Sequence, residues 1–207
     1  MEAYENTRAV VTRFVVGGAL ARPERPGVRI RPSPAAISLA WTRFIYGKTS
    51  SVALDMVDAS ALLWRLYLRS VDVGDRFRTL ADNWMPIATA RRDAFNDIHA
   101  VMAFVGANRS KAADTVLEAQ RLTMDEADDN AAFTREVGHP VALAIKAFGD
   151  GNYAETIRLL RPIRSYAHRF GGSHAQRDVI NLTLIEAAAR SGRDRLAQAL
   201  RYERTGV

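Results

Sequence analysis

From residue 52 onward, apolar positions recur every three or four residues, and strict apolar–polar alternation is scarce. Ala, Leu and Arg dominate these stretches, and all three favour helix. The pattern breaks where turn chemistry sits: Asp72-Val-Gly-Asp75, Gly106-Ala-Asn108, Asp128-Asp-Asn130, Gly149-Asp-Gly151, Gly171-Gly-Ser173 and Ser191-Gly192. Together these signals predict helices near 52–70, 74–88, 92–105, 109–124, 130–136, 138–149, 153–169, 174–190 and 193–203. No strand is required, so the predicted class is all-α.

The segment 174–190 has the clearest boundaries. Ser173 stands three residues before Gln176, the spacing of a capping box. Gly192 supplies a left-handed stop at the other end. At 100° per residue, Ala175, Val179, Leu182 and Ala189 fall on one side, and Ile180, Leu184 and Ala187 on another. Polar strips separate the two faces: His174, Arg177, Asp178 and Asn181 on one, and Gln176, Thr183, Glu186 and Arg190 on the other. A helix with two apolar faces is expected between neighbours.

Three inter-helix turns align with one another. Around Asn108, Gly151 and Gly192, the segments Ala103–Ala113, Lys146–Thr156 and Ala187–Ala197 superimpose. A small residue follows each turn at the fifth position: Ala113, Thr156 and Ala197. Small side chains let the second helix of a pair approach the first. The spacings of 43 and 41 residues lie in the range of helical solenoids. The run Gly151-Asn-Tyr-Ala-Glu-Thr-Ile-Arg-Leu-Leu has the form of a tetratricopeptide turn and second helix. The expected architecture is a tetratricopeptide-like solenoid of antiparallel helix pairs behind an irregular N-terminal leader.

Several strings carry a family resemblance. They are Asp58-Ala-Ser-Ala-Leu-Leu-Trp-Arg-Leu66, Asp72-Val-Gly-Asp-Arg76, Ala94-Phe-Asn-Asp-Ile-His-Ala100, Asp129-Asn-Ala-Ala-Phe-Thr-Arg-Glu136 and Ala167-His-Arg-Phe-Gly-Gly-Ser-His-Ala-Gln-Arg-Asp178. In this order they resemble the C-terminal part of the tetratricopeptide repeat protein 38 family, over about residues 45–203. The resemblance implies an all-α tetratricopeptide-type solenoid and no established reaction. It does not extend to the start of the chain.

Residues 1–50 read as a Pro/Arg-rich leader, partly disordered, ahead of a helical repeat domain at 51–207. Residues 22–34 hold four of the seven prolines, so no helix runs through them. Residues 35–48 can form a short apolar helix around Trp41, Phe44 and Ile45. The apolar run 9–21 ends in Ala19-Leu20-Ala21, but Glu2 and Glu5 precede it and Arg13 interrupts it, unlike a signal peptide. No apolar run reaches membrane-spanning length, and a cytoplasmic protein is expected.

Charge is distributed unevenly over the 207 residues. The net +6 divides into +5 over 1–51, −4 over 52–150 and +5 over 151–207. The basic balance is therefore not a uniform polyanion-binding surface. Arg158, Arg161, Arg164 and Arg169 lie at helical spacing, but no nucleic-acid motif accompanies them, and nucleic acid is not the expected partner. The chain has no cysteine, which excludes disulfides, thiolate zinc sites and thiol nucleophiles.

The four histidines, His99, His139, His168 and His174, lack metal-ligand spacing, so no metal or other cofactor is expected. Glu136 and His139 are three apart, the spacing of an acid–base couple. Gly138 and Pro140 flank His139 and favour a structural place at a helix start. No nucleophile elbow or P-loop occurs.

The strongest candidate cluster is Asn96, Asp97 and His99 with His174, Arg177, Asp178 and Asn181. Arg135 and Glu136 stand beside it as further candidates. These residues would line a groove or hold repeats in register, with Arg177 reaching Asp97 or Glu136. Trp64, Tyr67, Trp84, Phe95 and Phe104 are expected in the core. The leading expectation is a non-catalytic interaction module, a scaffold or adaptor with a protein or peptide in a concave groove lined by His99, Met102, Glu186 and Arg190. The alternative is an enzyme or small-molecule binder with a polar pocket around Asp97, His99, Arg177 and Asp178.

Overall fold

Helix α1 (Ala53–Leu68) carries apolar side chains around nearly its whole circumference, and most are buried. A helix of that kind needs partners on every side. In the computed structural model, which describes residues 50–90, 93–166 and 174–205 with the side chains of 174–176 and 205 excepted, α2, α3 and α8 provide them. The remaining helices are α2 (Arg76–Trp84), α3 (Ala94–Gly106), α4 (Ser110–Met124), α5 (Asp129–Phe133), α6 (His139–Gly149), α7 (Tyr153–Ile163), α8 (His174–Arg190) and α9 (Asp194–Thr205). All regular structure among the described residues is helical, as expected. Ser173 and its capping box, His168, Arg169 and the leader expectations lie outside the described residues.

The helices pair as α1/α2, α3/α4, α6/α7 and α8/α9. Each first helix ends in the same way. Ser70, Asn108, Gly151 and Gly192 take left-handed φ values of 55°, 57°, 75° and 72°. The next N–H then reaches back five residues: Val71 to Leu66 at 3.0 Å, Arg109 to Phe104 at 2.8 Å, Asn152 to Ala147 at 2.8 Å and Arg193 to Ala188 at 2.9 Å. This is the hydrogen bonding of a Schellman stop, repeated four times. Three of the turns are those aligned in the sequence. The fourth, at Ser70, was hidden because serine is an uncommon left-handed residue. The small residues after the aligned turns, Ala113, Thr156 and Ala197, are all fully buried. Thr156 also donates from Oγ1 to the Ala144 carbonyl at 3.2 Å, tying α7 to α6.

Side-chain caps start several helices. The Asp93 carboxylate accepts from Phe95 N at 2.9 Å, Asp128 from Ala131 N at 2.7 Å, and Asn152 from Glu155 N at 3.2 Å. Three boundaries differ from expectation. Helix α2 stops at Trp84 rather than 88, because Pro86 has no N–H to continue it. Helix α7 ends at Ile163, with Pro162 inside its last turn. The two helices expected at 130–136 and 138–149 are one continuous run, joined by a π-helical turn at Thr134–Gly138. The widened turn brings Gly138 against α3, where a Cβ would lie 2.6 Å from that of Ala94.

The first helices of the pairs do not fan outward. Helix α3 packs on α1 and α6, and α8 packs on both α7 and α1. The last pair thus returns to the first. Trp64 of α1 donates from Nε1 to Thr183 Oγ1 of α8 at 2.9 Å, with both side chains buried. Arg190 of α8 donates to the Leu68 carbonyl at 3.0 Å, and its guanidinium lies 5.0 Å from the Phe148 ring centroid. The space enclosed among Met102, Ile145, Leu160, Val179 and Thr183 has no room for a water molecule.

Candidate functional site

Several of the candidate residues fall into two separate networks, one buried and one half-buried. The first lies at the start of α3. Asp97 sits in the first turn, where its carboxylate Oδ2 accepts from Gln120 Nε2 of α4 at 3.3 Å. Gln120 Oε1 faces His139 Nδ1 at 3.2 Å, so this ring nitrogen carries a proton and donates. Burial pushes the Asp97 carboxyl up to about 7; the Gln120 bond opposes the shift and nearby Asp93 adds to it. Burial likewise pushes His139 below the usual imidazole range. The network links α3, α4 and the start of α6 beside the π turn. Asn96, its neighbour, is half-buried.

His99 belongs to the same helix but makes its own contacts. Its Nδ1 donates to the Phe95 carbonyl at 2.7 Å, and its ring lies 4.5 Å from the Phe95 ring centroid. The other nitrogen, Nε2, is buried without a hydrogen-bond partner. Burial holds this imidazole down at about 4, the Phe95 carbonyl opposes that shift, and the Arg65 guanidinium adds to it. His99 is therefore neutral at pH 7.

The second network joins α8, α9 and α1. Arg204 clasps Asp178 through Nε and Nη2, each at 2.7 Å, in a bidentate pair. Asp178 raises the Arg204 pKa through these bonds. Arg65 is buried nearby and donates from Nη1 to the Ala61 carbonyl at 3.0 Å. Burial lowers its pKa to about 10, against the opposing pull of Asp178. Asn181 accepts from Arg164 Nε at 3.3 Å, and Arg164 also pairs with Glu203 at 2.6 Å.

Asp97, His99 and Asp178 are thus engaged by Gln120, Phe95 and Arg204, rather than converging on one another. Arg177 is half-buried on α8, and His174 begins that helix with its side chain outside the described residues. Arg135 donates to the Met124 carbonyl from an exposed position. Glu136 is exposed while His139 is buried on Gln120 at the start of α6, so the two do not form the acid–base couple that their spacing alone would allow.

Of the four residues expected to line a concave groove, two are buried and two are half-buried. His99 and Met102 are buried, and Glu186 and Arg190 form a half-buried ion pair at 2.9 Å that faces the end of α1. The reason is the return of α8 to α1. Trp64, Trp84 and Phe104 are buried as expected, with Tyr67 and Phe95 partly buried against the core. Sequence reasoning missed Arg65, Gln120 and Arg204. Arg65 carried a signal, since a charge inside the apolar run Ala61–Leu68 must be buried if the helix is surrounded.

Open space lies outside, between the end of α2 and the start of α4. A shallow depression of about 610 Å³ is lined by Met85, Asn108, Arg109, Ser110, Lys111 and Thr115. Arg109, one of its lining residues, pairs with Asp82 of α2 at 2.6 Å. Among the described residues, no group of three or more acidic or histidine side chains is placed to hold a metal ion. No described helix is long and apolar enough to cross a membrane. No family model matches the chain, and no solved structure matches it.

Proposed function

We propose that this chain is a non-catalytic helical-repeat interaction module of the tetratricopeptide kind. It acts as a scaffold or adaptor and holds a protein or peptide partner on its outer surface. The repeat reading is supported by four helix pairs whose first helices share one stop geometry. The observation that carries the function is the contrast in free space. The space enclosed among Met102, Ile145, Leu160, Val179 and Thr183 has no room for a water, whereas the depression between α2 and α4 is open and lined by both apolar and cationic groups. A small molecule needs an enclosed pocket, while a peptide or protein docks on an open one.

The test is site-specific photo-crosslinking from Met85 and Thr115, with Tyr202 as a distant control. A partner captured at 85 and 115 but not at 202 is then purified and bound directly. Its affinity falls at least about tenfold with Met85→Asp plus Lys111→Glu. Equal capture at all three positions, or binding indifferent to the double substitution, overturns the proposal.

A further inference from the structure

Helix α9 packs chiefly on α8 and leaves its other side exposed. Tyr202 stands on that side and is 67% exposed. Arg195 and Gln198 precede it by seven and four residues, which sets them on the same helix face, and Arg201 flanks it. Arg195, Gln198 and Arg201 are all exposed. Helix α9 carries two acids. Glu203 is held by Arg164 of α7 at 2.6 Å, which leaves Asp194 against Arg195 and Arg201. The outward face of α9 is therefore basic around one large aromatic side chain.

A second exposed apolar side chain sits in the opposite field. Leu122, near the end of α4, is 53% exposed. Glu118 lies four residues before it, and Asp125 and Glu126 lie three and four after it, all exposed and on its own side of the helix. Asp128 and Asp129 follow, also exposed. Against these five acids stand Arg121, paired with Glu118 at 2.9 Å, and Arg135, which donates to the Met124 carbonyl. The end of α4 adds the negative pole of its own dipole. The two faces thus share one plan, an apolar side chain flanked by charge, and differ in sign.

We propose that α9 of one copy docks on the end of α4 of a second copy, with Tyr202 against Leu122 and with Arg195 and Arg201 against Asp125 and Glu126. The occupant of each face is another copy of this chain, because the complementary face is carried by the same molecule. The faces are unlike, so the contact is head to tail and each added copy offers a fresh face of either sign. Exposed charge pairs are weak singly and are screened by salt, so the assembly forms at low ionic strength and comes apart at high. Leu122 lies about 18 Å along α4 from Ser110, which separates this contact from the α2–α4 depression. A crosslink formed at Tyr202 would join two copies of this chain, and its mass tells it from a foreign partner captured at Met85 and Thr115.

The test is sedimentation equilibrium of the full-length chain at about 0.02 M and about 0.5 M salt. Two variants accompany it, Asp125→Lys/Glu126→Lys and Arg195→Glu/Arg201→Glu. The first places cations at a helix end that favours them, and circular dichroism checks that both keep their helix content. The parent's average mass should rise with concentration at low salt and stay at that of one chain at high salt. Each variant alone should associate at least about tenfold more weakly than the parent. An equimolar mixture of the two should associate again, because one keeps its basic face and the other its acidic face. A parent that stays monomeric at low salt would give these faces to some other occupant and overturn the proposal. Association unaffected by either pair of substitutions, or a mixture that stays monomeric, would overturn it as well.

Discussion

Trp64 and Thr183 are separated by 119 residues and joined by one buried hydrogen bond of 2.9 Å. The bond fastens the fourth helix pair to the first. Thr183 Oγ1 donates its own hydrogen bond to the Val179 carbonyl at 2.6 Å, which leaves its lone pairs to accept from the indole. Thr183→Val keeps the shape and leaves the Trp64 N–H buried without an acceptor. The expected loss is about 1–3 kcal/mol of unfolding free energy. Urea unfolding checks this, and an unchanged midpoint would remove the bond from the closure.

Asp97 and His99 pull stability in opposite directions with pH. The folded pKa of Asp97, about 7, lies above its ordinary value of 3.8, so its contribution is complete below pH 4 and is lost as pH rises toward 7. His99 has a folded pKa of about 4 against 6.5, so its contribution is complete above pH 6.5 and is lost as pH falls toward 4. Asp97→Asn keeps an acceptor for Gln120 and removes the buried charge. It should stabilise the protein at pH 8, on the order of 2–4 kcal/mol, and change little at pH 4. Because the opposing slope is gone, this variant should also lose stability more steeply than the parent between pH 6.5 and 4. Unfolding at a series of pH values checks both parts; a parallel curve would contradict them.

Asp178 stands between two guanidiniums, clasped by Arg204 and close to buried Arg65. Removing the acid leaves buried Arg65 and half-buried Arg204 close together without it, while removing Arg204 leaves Asp178 near Arg65. Asp178→Ala should therefore be the more damaging change, at about 2–4 kcal/mol, and Arg204→Met the milder. Thermal unfolding of the two variants compares them, and the reverse ranking would show that Arg65 does not share the acid.

Gly138 is needed for space at the π turn. A methyl group there meets the Ala94 side chain at 2.6 Å. Gly138→Ala should cost about 1–3 kcal/mol despite the better helix propensity of alanine. Gly138→Ala combined with Ala94→Gly should recover part of that loss. A stabilised single variant would place α3 farther from the turn.

Local features of the candidate site were readable along the chain. Asp97 and Asp178 were both named in the candidate cluster, and each proves to be hydrogen-bonded to a side chain of another helix. Their partners were not readable. Gln120 lies 23 residues from Asp97 and Arg204 lies 26 from Asp178, and nothing in helical periodicity selects one polar residue of a distant helix over another. Glu136 and His139 show the converse. Their spacing suited a couple, but the wider π turn between them set one outside and the other inside.

The sequence alone determined most of the helices and three of the four left-handed stops, because those depend on neighbouring residues. Asn108, Gly151 and Gly192 accept left-handed backbone, and Ala113, Thr156 and Ala197 permit close pairing within a few residues of each turn. Whether the pairs open into a groove or close upon themselves was decided only in three dimensions. That choice rests on contacts such as Trp64 with Thr183 and Arg190 with the Leu68 carbonyl. Each joins groups more than a hundred residues apart, and each offers a donor whose acceptor no local pattern can name.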